Sequence, residues 1–335
     1  MRAIRTTTKA VALASLLSFG SNSHAAECGS VSIADMNWAS AEFAAYLDAF
    51  ILEHGYGCDV EIVPGDTVPT TTSMIEKAQP DLAPELWLNS ARDAIDRGKQ
   101  EGKLLIAAAI LKDGGEEGWW IPEYTAKQHP ELKTVQDVLQ RPDLFPHPED
   151  KERGGFMTCP AGWGCEVNNG NLTRAFEIDK HGFDMIDPGS AAGLDGSIAK
   201  AFDRKQNWFG YYWAPTAVLG KYPMKKLDFD APFDAENWRS CITKPDCPDP
   251  KRSSWTVSEV STMVTGKFAR SAPADVMDYL GKRSFENALL NGILAWMSDN
   301  QAPGADGAER FLQKHEDVWS SWVSKDAAAK IKKAL

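Results

Sequence analysis

Residues 31–63 read VSIADMNWASAEFAAYLDAFILEHGYGCDVEIV. Residues 31–35 are short and rich in β-formers. Residues 40–53 carry apolar side chains at three- and four-residue spacing, which gathers them on one face of a helix, and Gly55 follows as a stop. Residues 58–63, CDVEIV, predict a second strand. A strand, an amphipathic helix and a strand in immediate succession predict a β-α-β unit.

The same rhythm continues outward. Residues 69–78 predict a helix with threonines at its start, 86–89 a short strand, 91–100 a helix and 103–110 a third apolar run. The fold class is therefore α/β with a mainly parallel sheet, and such sheets take ligands at the carboxyl ends of their strands. Residues 141–170 are rich in proline, glycine and charge and predict a long ordered loop. Helices are expected over 172–180 and 191–205, and an aromatic strand over 208–213. A second proline-rich stretch covers 228–252. A strand over 255–264 and helices over 274–280, 284–300 and 307–324 complete the chain.

The chain has 335 residues, enough for about two domains. Its 43% apolar and 25% charged residues exclude a disordered or fibrous chain. A net charge of −11 argues against nucleic acid, which needs a basic footprint. Residues 1–25 read as a secretory signal peptide. Arg2, Arg5 and Lys9 form a basic head, an apolar run covers 10–20, and Ser23-His24-Ala25 is a small-x-small cleavage signature. The run is too short for the ~20 residues that cross a bilayer. Glu27 ahead of Cys28 argues against a lipid-anchored start. Removing the segment takes away three positive charges, so the exported protein carries about −14. Its compartment is then oxidising, and the six cysteines fall into three local couples, Cys28 with Cys58, Cys159 with Cys165, and Cys241 with Cys247. No C-x-x-C or paired histidine supports a metal, and the acidic loop residues Asp143, His147, Glu149 and Asp150 match no EF-hand spacing. No metal or cofactor is expected.

Twelve tryptophans are the compositional oddity. Trp296, Trp319 and Trp322 lie on amphipathic helices and read as packing, and Trp238 and Trp255 flank the third cysteine couple. Trp38, Trp87, Trp119, Trp163 and Trp213 fall instead at strand ends or in tight loops, with Trp120 beside Trp119 unassigned. Several indole faces converging on one point suit a cation, and above all a quaternary ammonium, which asks for no hydrogen bonds. A sugar is the competing guest, but it needs more Asp, Asn, Arg and Glu than these segments hold. An enzyme acting on methylated amines would need a catalytic set. The chain has no G-x-S-x-G, H-E-x-x-H or G-x-G-x-x-G.

Three segments carry a family resemblance: the run from Cys28 through Met36-Asn-Trp38, Cys159-Pro-Ala-Gly-Trp-Gly-Cys-Glu166, and Phe209-Gly-Tyr-Tyr-Trp213-Ala-Pro215. They resemble the periplasmic substrate-binding proteins of ABC importers for glycine betaine, choline and related trimethylammonium osmolytes. Leu86-Trp87-Leu88 and Gly118-Trp119-Trp120-Ile121 match two further family segments. The resemblance implies a two-lobed, type II Venus-flytrap fold with the ligand cleft between the lobes. Lobe 1 would hold 26–120 plus 250–335, lobe 2 would hold 121–235, and 236–249 would form a disulfide-closed connecting loop. It implies a tryptophan box of Trp38, Trp87, Trp119, Trp163 and Trp213. The amides of Gly164 and Cys165 would receive a ligand carboxylate, with Glu166 as a polar partner. Where choline binders carry an aspartate two residues after the first box tryptophan, this chain has Ser40, which disfavours choline. Glycine betaine or trimethylamine N-oxide is expected, ahead of carnitine and choline. The protein would be a periplasmic monomer that hands its ligand to the permease and ATPase of an ABC importer.

Overall fold

The computed structural model describes residues 28–335, so the expected signal segment 1–25 lies outside it. The opening β-α-β unit forms as the periodicity predicts. Strand β1 (Ser30–Met36) and β2 (Asp59–Gly65) run parallel in register from Ser30 opposite Asp59 to Met36 opposite Gly65. Helix α1 (Ala39–Phe50) covers them with the small and apolar face of Ala41, Phe43, Ala44, Ala45 and Leu47, all fully buried. The helix does not stop at Gly55. It continues as a wider turn over Ile51–Tyr56 and ends at Gly57, whose φ of 73° is a left-handed conformation that suits glycine. Gly55 instead lets the C-terminal helix come close, since a Cβ there would lie 3.2 Å from Ile331.

Helix α2 (Thr67–Lys77) leads to strand β3 (Leu82–Trp87), helix α3 (Leu88–Gln100) and strand β4 (Leu104–Ala109). The chain then crosses into a second sheet, beginning at β5 (Glu116–Pro122). That sheet adds β6 (Gly154–Met157), β7 (Phe183–Ile186), β8 (Gly210–Ala214) and β9 (Met224–Lys226). A return crossing brings β10 (Val260–Thr265) back into the first sheet. The strand orders are β2-β1-β3-β10-β4 and β7-β6-β8-β5-β9. In both, β-α-β strands pair in parallel and a strand next to a crossing runs antiparallel to them, β10 in the first and β5 in the second. The sheets are thus mixed rather than simply parallel. The first crossing lies between Ala109 and Glu116, ahead of the expected boundary at 120. The two crossing segments pair through an isolated bridge of Gly115 with Ser258.

Residues 141–170 are not one loop. They contain β6, an inner strand of the second sheet, and the start of helix α4 (Gly164–Ala175). Glycines are poor strand formers on their own, but here Gly154 makes room for a partner, since a Cβ on it would meet the Phe183 ring at 2.6 Å. The expected final helix over 307–324 is broken: Gly304–Lys314, a short turn Glu316–Trp319, and a separate Lys325–Ala334. Trp319 and Trp322 nevertheless pack as expected, the latter 5.4 Å from Phe285 and stacked 5.8 Å from Phe311. All three cysteine couples are bonded. Among the described residues, no helix is long and apolar enough to cross a membrane.

Candidate ligand-binding site

The carboxyl ends of the parallel strands meet at the crossing, and aromatic side chains gather there. Trp38 follows β1 by two residues, Trp87 ends β3, and Tyr211 and Trp213 lie two apart on β8, on the same face. Trp163 precedes α4, at the mouth of the loop closed by Cys159–Cys165. With Thr67, Ser90, Glu117, Gly164 and Cys165 they line a cavity of about 330 Å³.

The rings stand edge to face, one pair across the lobes and one within the second lobe. Trp38 and Trp163 have centroids 5.4 Å apart at 71°, and Trp163 and Trp213 5.0 Å apart at 83°. Three of the four indole N–H groups are bonded within the protein. The indole N–H groups of Trp38 and Trp87 donate to Glu85 Oε1 at 2.8 and 3.0 Å, and the Ser40 hydroxyl donates to the same oxygen at 2.9 Å. Trp163 donates to Asn37 Oδ1 at 2.6 Å. Glu85 is fully buried behind the two indoles, and burial raises its carboxyl above the ordinary glutamate range against the pull of these three donors.

Glu117 is the ionisable carboxyl of the wall. It is 2% exposed, accepts a hydrogen bond from the Tyr211 hydroxyl at 2.8 Å, and accepts a second from Ser258 in the return crossing. Burial raises its carboxyl too. Tyr211 backs onto Trp255 at 5.6 Å, and Trp255 onto Trp238 at 4.8 Å, so the two tryptophans near the third disulfide form a supporting layer.

Contacts from the second lobe and the connecting loop reach the first lobe around the cavity. Besides Trp163 on Asn37, the Val68 amide donates to the Gly162 carbonyl at 3.2 Å and Asn168 to the Ser90 hydroxyl at 2.9 Å. Trp238 donates to the Asn89 carbonyl at 3.1 Å, and Lys244 pairs with Asp93 at 2.6 Å.

Of the sequence-derived set, Trp38, Trp87, Trp163, Trp213, Gly164 and Cys165 come together here. Trp119 does not. It is wholly buried in the core of the second lobe among Phe156, Phe176, Phe209 and Phe229, at 4.7 to 5.9 Å, and its indole donates to Asn169 Oδ1 at 2.8 Å. Its place beyond Glu117 on β5 carries it past the cavity and into that core. Trp120, on the other face of β5, donates to the Tyr212 carbonyl at 3.0 Å and does not line the cavity. Glu166 is exposed, and its Oε2 accepts the Gly162 amide at 2.8 Å, so it braces the turn before α4. Sequence reasoning passed over Tyr211, Glu117, Thr67, Ser90 and Glu85. Tyr211 was findable from its two-residue spacing to Trp213, and Glu85 from being the one charge in the otherwise uncharged run LAPELW.

A sequence profile described as the substrate binding domain of ABC-type glycine betaine transport systems matches residues 29–314. The chain belongs to this family of transport binding proteins. Its fold is shared with solved structures at low identity. A glycine betaine/L-proline-binding protein from Borrelia burgdorferi matches with TM-score 0.70 and 16% identity, covering 90% of this chain and 99% of that one. An ABC-transporter choline-binding protein in complex with choline gives TM-score 0.70 and 19% identity over 92% and 98%. Lactococcal OpuAC, closed on glycine betaine, gives 0.66 and 15% over 88% and 100%. The two-lobed periplasmic binding protein architecture follows from these matches.

Proposed function

We propose that the cavity receives the trimethylammonium head of a small solute, held by Trp38, Trp87, Trp163, Trp213 and Tyr211. The observation that carries this is a cluster of four tryptophans lining one cavity, three of which have their N–H groups already bonded to Glu85 and Asn37. A methylated ammonium is weakly hydrated and bonds to faces rather than to acceptors. The amides of Gly164 and Cys165, in the first turn of α4, suit the oxyanion of such a solute. A sugar would need a ring of hydrogen-bonding side chains, and the cavity offers only Thr67, Ser90 and Glu117 besides the aromatics.

The close-set rings, 5.4 and 5.0 Å apart between centroids, favour a compact ligand, glycine betaine or trimethylamine N-oxide, over carnitine. Choline lacks an oxyanion for Gly164 and Cys165. The protein would be an exported, periplasmic receptor that delivers the ligand to the permease and ATPase of an importer. A thermal-shift screen tests this, because a ligand that binds only the folded state raises the melting temperature. Glycine betaine or trimethylamine N-oxide should raise it most, carnitine and choline less, and glucose not at all. A shift with glucose and none with the methylated amines would overturn the reading.

A further inference from the structure

Glu117 stands in the cavity wall without a basic partner of its own among the described residues. Tyr211 and Ser258 occupy its oxygens with hydroxyl groups. The cation whose charge reaches it is Lys226 on β9, and Lys226 is held by the exposed Glu116 at 3.0 Å. The groups facing this carboxyl are thus Tyr211 from β8, Ser258 from the return crossing, and Lys226 from β9. Glu85 differs, because two indoles stand between it and the guest, and Arg283 lies behind it.

An ionised carboxylate enclosed by aromatic rings is heavily penalised unless a positive charge joins it. Burial therefore raises this carboxyl above its ordinary 4.5, against the pull of Ser258, Tyr211 and Lys226. Both hydroxyl neighbours can donate to a carboxylate or accept from a carboxylic acid by rotating, so the same hydrogen bonds serve either protonation state. A quaternary ammonium has no N–H and does not compete for those bonds. It contributes charge alone.

We propose that Glu117 is the counter-charge of the bound cation, and that seating a trimethylammonium group drives the proton of the Glu117 carboxyl out to solvent. The ligand keeps its charge, the carboxyl loses H⁺, and the buffer takes it. The proposal rests on the trimethylammonium reading above. Its sign is fixed by linkage: the empty form binds more protons than the occupied form, so affinity rises with pH across the window above the ordinary glutamate value, by at most about tenfold per pH unit.

Titration calorimetry of the full chain tests it, with glycine betaine, trimethylamine N-oxide and choline as probes. Each is run in paired buffers of different ionisation enthalpy between about pH 5 and 8. The expected result is a heat that depends on the buffer, equivalent to release of up to one proton per ligand at the lower end of the range. Glu117→Gln should bind more weakly and with a buffer-independent heat. Should that variant fail to fold, the wild-type buffer pairs decide alone. Binding with identical heats in every pair overturns the coupling and leaves the ligand reading standing. No heat with any probe overturns the ligand reading, and the coupling with it.

Discussion

Gly164 and Ser90, from opposite lobes, approach so closely that a Cβ on Gly164 would lie 2.2 Å from the Ser90 Cβ. Thr67 lies near the same point, 3.5 Å away. The absence of a side chain at 164 is therefore a condition for the lobes to meet as they do, with Trp163 reaching Asn37 beside it. A ligand touching both lobes favours this closed arrangement by differential contact.

Gly164→Ala should therefore oppose closure without harming either lobe. We expect at least tenfold weaker ligand binding and an unchanged circular dichroism spectrum and melting temperature in the empty protein. Small-angle scattering should show no ligand-induced contraction. Adding Ser90→Gly, which removes the opposing Cβ, should restore part of the affinity. A double variant no better than the single one would move the obstruction elsewhere.

The tryptophans that form the cavity should separate from those that only pack. Each indole face desolvated against a cation contributes about 2 kcal/mol, and about 1.4 kcal/mol is tenfold in Kd. Trp213→Ala and Trp87→Ala should each weaken binding by more than tenfold with the fold intact. Trp119→Ala should instead remove a ring from the second-lobe core and cost about 3–5 kcal/mol of stability. Urea titration alongside ligand binding distinguishes the two classes. Comparable stability losses at all three positions would contradict the assignment.

The Cys159–Cys165 bridge closes a short loop that ends on Trp163 and Gly164. In the chain-entropy account, a loop of this length contributes about 2–3 kcal/mol by restricting the unfolded chain. Replacing both cysteines by serine should lower stability by no more than that. The larger effect should fall on affinity, since the loop positions one ring and two amides of the cavity. Equal affinity with and without the bridge would show that α4 alone holds these groups in place.

The features legible in the sequence and those that were not divide along a physical line. The β1-α1-β2 unit was readable because its periodicity is local and its apolar face is continuous. β6 was not, since Gly154 and Gly155 carry no pattern and owe their strand to Phe183 and Ile186 across the pair. Trp38, Trp87, Trp163 and Trp213 could be picked out because strand ends and tight loops are where such folds expose side chains. Trp119 could not be told from them, because only the phenylalanines arriving from four distant segments show that this end of β5 lies in the core. Glu117 was hidden for the opposite reason. In a Gly-Gly-Glu-Glu-Gly run it reads as a turn residue, and only its pairing opposite Trp213 turns it inward.

Asp195, on helix α5 (Ala191–Arg204), gives the stability of the second lobe a predictable dependence on pH. The Tyr212 hydroxyl donates to its Oδ1 at 2.6 Å, on the strand that carries Trp213. Burial raises its carboxyl from 3.8 to about 6, and the Tyr212 hydrogen bond only partly opposes this. The folded state thus holds the proton more tightly than the unfolded chain. The resulting stabilisation is fully present below about pH 4 and is lost as pH rises through 6, with a total of at most about 3 kcal/mol. Asp195→Asn keeps an acceptor for Tyr212 but cannot ionise. It should match the wild type near pH 4 and exceed it by about 1–3 kcal/mol near pH 7.5. Denaturant unfolding of both proteins at the two pH values measures this directly. A constant difference between them would mean that Asp195 titrates alike in the folded and unfolded chains, and that solvent reaches it beside Tyr212.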